Sequence, residues 1–324
     1  MEESSLYYLE KNKPKEHPYK ILFTGLDGAG KSSIILSLQR EFSKIAIVEP
    51  TRGAQRRIFT LLGREISEWD LGGQKSYLIS YLKSPGKYFD DTEIAIYVID
   101  IMDTKRISES LSYLVDVIKK FEELKIHPPI NIFLHKCDPV LFKRTQSIIE
   151  DQLNALEKQI KELANYDKIY FFRTSIYDPY SVMSAMSTIL LELYPKSQLI
   201  RKTIEEFAKK LNCSGLIIIG QNSLILGSYF KDDNSKAYLK KIIGHFLILN
   251  DKFSEIKLEQ QEDQIIVQKS HNYFLFKPII LNNDVVPHFM LILKEDNPFD
   301  LYFINKDLPA FINILRDILM KESI

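Results

Sequence analysis

A chain of 324 residues with 45% apolar side chains can bury a sizeable core, and its length favours two domains over one. Its 43 basic and 43 acidic residues cancel, so no overall field draws it onto nucleic acid or an anionic membrane, and partners must be recognised locally. Two cysteines far apart, Cys137 and Cys213, make neither a disulfide framework nor a zinc site and fit a reducing, cytoplasmic setting.

Residues 1–18 are charged, carry two prolines and show no sustained period, which predicts a flexible arm without secretion or lipidation signals. From residue 19 to 195, short apolar strands alternate with helical patterns. The strand segments are "YKILFTG", "REISEWD", "EIAIYVID", "INIFLH" and "KIYFFRTS". Such alternation predicts an α/β domain with a mainly parallel sheet, and the nearly continuous apolarity of the strands predicts helices on both faces. No apolar run approaches the roughly 20 residues that cross a bilayer. Residues 196–324 change rhythm to helix, hairpin, helix, three strands, helix. The "GQNS" between two apolar runs reads as the hairpin turn, and the order predicts a smaller α+β domain.

Between the first strand and the first helix stands "GLDGAGKSS", which matches G-x-x-x-x-G-K-(S/T). A triphosphate needs several backbone N–H groups pointing inward, and glycines let the chain wrap without a Cβ in the way. Asp27, Gly28, Ala29, Gly30, Lys31, Ser32 and Ser33 therefore form the expected phosphate loop. Lys31 supplies charge to the β- and γ-phosphates, and the Ser32 hydroxyl is a ligand for Mg²⁺. Thr51, in "EPTRG", is a second candidate metal ligand. "EISEWDLGGQ" ends a strand at Asp70, where a carboxylate can hold the metal through water. It then offers the Gly73 N–H to the γ-phosphate and the Gln74 amide to the attacking water.

"INIFLHKCD" ends another strand with His135, Lys136 and Asp138. Guanine presents two adjacent donors that one carboxylate accepts in a fork, and adenine does not, so Asp138 is the base-specifying residue. Lys136 lays its stem along the base, while His135 either ties this loop to the phosphate loop or is a satisfied histidine at a strand end. In "FFRTSIYD" the backbone N–H of Ser175 or of Ile176 reaches the guanine carbonyl, with Thr174 shaping the turn. Arg52, Arg56 and Arg57 follow Thr51 and read as a solvated or partner-facing patch rather than a cis arginine finger. Trp69, the sole tryptophan, reads as a packed strand-end aromatic.

With these motifs in order, the first domain resembles a Ras-superfamily small GTPase. "GLDGAGKSS" with "WDLGGQ" is similar to the Arf and Rag/Gtr branches. Histidine in "HKCD", the string "FRTSIYD" and the long "KSYLISYLKSPGKYFDD" lean towards Rag/Gtr. The block after residue 195 is similar in size and order to the roadblock/longin-type domain of that family. The resemblance implies GTP/GDP binding with Mg²⁺ and slow hydrolysis catalysed through Gln74 and Lys31. It further implies homo- or heterodimerisation through the C-terminal domain, with activating and exchange proteins as partners and membrane contact only through them. Two other readings stand beside this one, a non-hydrolysing nucleotide-bound scaffold and an Arf-like trafficking GTPase.

Overall fold

A computed structural model describes residues 17–62, 64–194, 196–220, 222–255, 264–281, 287–296 and 298–320. The arm expected over residues 1–18 lies outside them except for His17 and Pro18, and Gln221 of the hairpin turn lies outside them too. The chain divides into two compact units, Met1–Ser37 with Glu41–Ser181, and Leu38–Arg40 with Val182–Ile324.

The first unit is built on a sheet in the order β2-β3-β1-β4-β5-β6. Its strands are β1 (Tyr19–Thr24), β2 (Ala54–Leu61), β3 (Arg64–Leu71), β4 (Thr92–Asp100), β5 (Ile130–His135) and β6 (Ile169–Thr174). β3, β1, β4, β5 and β6 run parallel to one another, as the sequence pattern predicts. β1 and β5 are buried at every residue, which is why they read as unbroken apolar runs. β2 was not anticipated. It is an antiparallel edge strand on β3, mostly exposed and rich in arginine and glutamine, so it lacks the apolar signature of its neighbours.

The helices that cover this sheet follow the 3.6-residue period. α1 (Lys31–Leu38) leaves the phosphate loop, and α2 (Lys75–Lys83) follows β3. α3 (Ile107–Glu123) buries Leu111, Leu114, Val117, Ile118 and Phe121 along one face. α4 (Pro139–Ala164) starts on a proline, whose missing N–H costs nothing there, and stops at Asn165 in the left-handed conformation, φ 43°. α5 (Pro179–Leu191) follows β6, and the two units part within it, between Ser181 and Val182, rather than at the expected boundary after residue 195. The core joins Leu22, Tyr97, Leu114, Phe121, Ile132 and Leu134 in one continuous cluster.

The chain leaves β1 towards β3 and returns to β4 on the other side of β1, so the order of the strands reverses there. Crevices at such reversals, outside the carboxyl ends of the strands, are where open α/β sheets bind ligands. Register brings the strand ends to one rim, with Phe23 opposite Asp70, Asp100 opposite His135, and His135 opposite Thr174.

The second unit has an antiparallel sheet in the order β8-β7-β11-β10-β9. The strands are β7 (Gly215–Ile219), β8 (Ile225–Phe230), β9 (Ile265–Lys269), β10 (Asn272–Ile279) and β11 (His288–Glu295). With α6 (Ser197–Lys210), α7 (Asp233–Glu255) and α8 (Leu308–Met320) they follow the predicted order. Ile200, Ile204 and Ala208 form the buried stripe of α6, and Phe207 stacks on Phe311 of α8 at 3.8 Å. Phe276 stacks between Phe246 and Phe289 at 5.5 and 5.4 Å. This is an additional small α+β unit. Among the described residues no helix is long and apolar enough to cross a membrane.

Candidate nucleotide site

β1 ends at Thr24, whose hydroxyl lies 3.2 Å from that of Tyr113 in α3. The chain then turns through Gly25, Gly28 and Gly30, all with positive φ, and enters α1 at Lys31. A Cβ on Gly30 would stand 2.5 Å from the His135 ring, so only glycine fits there. Lys31 is buried and its Nζ donates to the carbonyls of Gly25 and Leu26, each at 2.8 Å. Burial lowers its pKa to about 8, while the carboxylates of Asp70 and Asp27 pull it back up. Asp27 and Gly28 are exposed at the tip of the loop, Ala29 is buried, and Ser32 and Ser33 are half-buried in the first turn of α1.

Ser32, Thr51 and Asp70 converge, although they come from three separate segments. Ser32 Oγ lies 2.7 Å from Thr51 Oγ1 and donates to Asp70 Oδ2 at 2.6 Å, and Thr51 Oγ1 donates to the same oxygen at 3.2 Å. Asp70 Oδ1 is buried and has no hydrogen-bond partner among the described residues. Hard oxygen donors with an orphaned carboxylate oxygen are a set that fits Mg²⁺.

Beyond β3 the backbone closes on the loop. Gly72 N–H donates to Gly53 O at 2.8 Å, and Asp27 N–H donates to Gly73 O at 3.0 Å. A Cβ on Gly73 would lie 2.1 Å from Asp27 N, so this approach again requires glycine. Gln74 caps α2 with an extended backbone and no side-chain capping bond. Trp69 is half-buried. Its Nε1 donates to Ser67 Oγ at 3.0 Å, and the Lys20 ammonium stands 4.4 Å over its ring.

At the end of β5, His135 is buried, its Nδ1 2.9 Å from Thr174 Oγ1 and its other edge against Gly30. Burial, helped by the charge of Lys136 and opposed by Asp100, lowers its pKa to about 4. Lys136 adopts φ 67° and pairs with Asp100 at 2.6 Å. Asp138 caps α4, and its Oδ1 accepts the Ser175 hydroxyl at 2.5 Å. Ser175 N–H, one of the two expected backbone donors, is already engaged by Ser181 Oγ at 3.0 Å. Burial pushes the Cys137 thiol up to about 12, which removes it as a nucleophile.

Sequence reasoning missed three features. The Ser175 side chain orients Asp138, where only its backbone was expected to act. Of Arg52, Arg56 and Arg57, read as a solvated or partner-facing patch, Arg52 and Arg56 are exposed, but Arg56 Nε also bonds Ser67 Oγ at 2.9 Å and the half-buried Arg57 bonds Glu68 at 3.1 and 3.2 Å. Arg106, just before α3, bonds Asp27 Oδ1 at 2.7 Å, and no spacing in "DTKRIS" signals it.

A phosphate loop at a strand-order reversal, with a hydroxyl–carboxylate cluster below it and a carboxylate-bearing loop beside it, defines a phosphate-loop nucleotide-binding protein. The conserved region of the Gtr1/RagA G proteins matches residues 20–256. Over 128 residues the chain is 39% identical to ADP-ribosylation factor-like protein 3 of Chlamydomonas reinhardtii, covering 40% of this chain and 68% of that protein. It is 35% identical over 133 residues to ADP-ribosylation factor-like protein alp41 of Schizosaccharomyces pombe, covering 41% and 67%. Among solved structures, the Arl6 BBS3 small GTPase of Trypanosoma brucei with bound GppNp aligns at TM-score 0.43 and 18% identity, over 55% of this chain and 98% of that one. The chain belongs to the Gtr1/RagA G protein family. It is a small GTPase, a guanine-nucleotide-binding regulatory switch that hydrolyses GTP.

The depressed pKa of His135 sets a pH dependence. The unfolded chain takes up a proton near pH 6.5 and the folded chain only near 4, so folding is strongest above 6.5 and loses stability as pH falls through that window. His135→Asn is expected to remove this loss, up to about 3 kcal/mol between pH 7 and 4. Urea midpoints of both proteins across that range check it, and parallel curves would assign the acid sensitivity elsewhere.

Proposed function

We propose that residues 19–195 form the GTPase domain and that its switch works through the residues converging at the sheet rim. The observation that carries this is the meeting of Ser32, Thr51 and Asp70 below a loop that also touches Gly73 and His135. Ser32 and Thr51 would hold Mg²⁺ directly and Asp70 through water. The chemistry an ion held there would supply is neutralisation of charge on the β- and γ-phosphates. The N–H groups from Asp27 to Ser33 and the Lys31 ammonium hold the phosphates, and Lys31 needs no rearrangement beyond releasing two carbonyls. Gln74, whose side chain makes no capping bond, orients the attacking water.

Base selection falls to Asp138, oriented by Ser175, with the Ile176 N–H for the guanine carbonyl and the Lys136 stem along the ring. Hydrolysis is slow alone, because Arg56 and Arg57 are bonded within the sheet and neither serves as a cis finger. An arginine from an activating partner would raise the rate by about 10³ to 10⁵. The second unit is a roadblock/longin-type domain that pairs with a like domain. Its support is the exposed apolar surface of Ile248, Leu249 and Phe253 on α7, and of Ile266 and Val267 on edge strand β9.

Asp138→Asn should weaken GDP binding by at least about 100-fold, since two charge-assisted bonds are lost. Calorimetry against GDP and ADP checks this, and equal uptake of both by the wild type would end the guanine reading. Gln74→Leu should slow phosphate release by about tenfold or more and leave GTP affinity unchanged; equal turnover would remove its role. Light scattering of the whole protein in both nucleotide states should give a mass above the monomer when a like domain is present, and a concentration-independent monomer alone would exclude the homodimer.

A further inference from the structure

Arg106 precedes α3 on a short 3₁₀ turn, Thr104–Arg106, and reaches across to the tip of the phosphate loop. Its Nη2 donates to Asp27 Oδ1 at 2.7 Å and its Nη1 to the Asp27 carbonyl at 3.3 Å, while Nε donates to Glu109 at 2.9 Å. The guanidinium therefore grips both the side chain and the main chain of one loop residue. That residue matters because it stands where the loop meets the end of β3, its own N–H donating to Gly73 O. A carboxylate at this place in a phosphate loop is a like charge beside the ligand, and it penalises the form with the additional phosphate more than the form without it. The two carboxylates raise the Arg106 pKa, so its charge persists at any working pH. The cleft beside the loop is lined by Leu26, Asp27, Ala29, Asp100, Arg106 and Ser110, so the pair forms one wall of an open recess rather than a packed core.

We propose that Arg106 is a positioning residue that holds the Asp27 carboxylate away from the phosphates and thereby sets the preference of the switch for nucleoside triphosphate over diphosphate. This rests on the reading of the Gly25–Ser33 loop as the phosphate site. Glu109 holds the guanidinium from its far side and fixes its direction. Without Arg106 the carboxylate loses its guanidinium partner and turns freely at the loop tip, and the repulsion falls chiefly on the γ-phosphate.

The test is the affinity of the full chain for GDP and for a non-hydrolysable GTP analogue, with Mg²⁺ at low salt. Arg106→Met should lower the triphosphate-to-diphosphate affinity ratio by about three- to tenfold, the scale of one unit charge at partly screened range. Arg106→Lys should keep the ratio within about twofold of wild type, and so should Asp27→Asn in the Arg106→Met background, because the charge to be compensated is gone. The shift should shrink in about 0.5 M salt, where exposed charges are screened. Equal weakening for both nucleotides would show a purely structural contact and overturn the proposal, as would a shift that Asp27→Asn fails to rescue. Wild-type protein that takes up neither nucleotide would instead bring down the phosphate-site reading itself, a separate result. Should Arg106→Met not fold, Arg106→Gln, which keeps a donor for the Asp27 carbonyl, carries the same expectation.

Discussion

Among the approaches at the site that leave no room for a side chain are Gly30 against the His135 ring and Gly73 against Leu26 and Asp27. Through them the loop that follows β1 is fixed from two directions, by the end of β5 and by the end of β3. A loop of glycines is entropically expensive to order. Here the cost is offset by neighbours that themselves end buried strands. The His135–Asp138 loop, the Ser32–Thr51–Asp70 cluster and the Gly72–Gln74 segment are thus parts of one rim, because parallel strands in register deliver all their carboxyl ends to the same side.

The site's electrostatics follow from burial more than from opposing charges. Lys31 and His135 are both held below their ordinary pKa values by desolvation. For the lysine this leaves an ammonium with incomplete solvation, which an incoming phosphate can complete. For the histidine it leaves a neutral ring at working pH, able to act as a packing surface and hydrogen-bonding group without adding charge beside a base. The exposed Arg106–Asp27 pair is of another kind, screened and adjustable, and it stands at the loop tip where a difference of one phosphate is felt.

The parallel sheet was legible because its strands are buried on both faces, and the second unit because its helices and strands change period at clear turns. β2 was not, since an edge strand facing solvent on both sides carries Arg56, Arg57 and Gln55 where a buried strand would carry valine. The convergence of Thr51 on Ser32 and Asp70 was anticipated from residue type and order, but its hydrogen bonds depend on how the 49–53 segment lies over β3. The Ser175 hydroxyl on Asp138 and the spent Ser175 N–H could not be read at all, because each depends on a turn closed by Ser181.

The sequence alone determined the phosphate loop, the order of the strand-end motifs and the class of nucleotide, because these rest on residue types at fixed local spacing. Tertiary structure decided which glycines admit no substitute, which serine bonds the Asp138 carboxylate and that an arginine 79 residues away grips the loop. Those facts arise from chain segments meeting in space, and no local period or spacing encodes such a meeting.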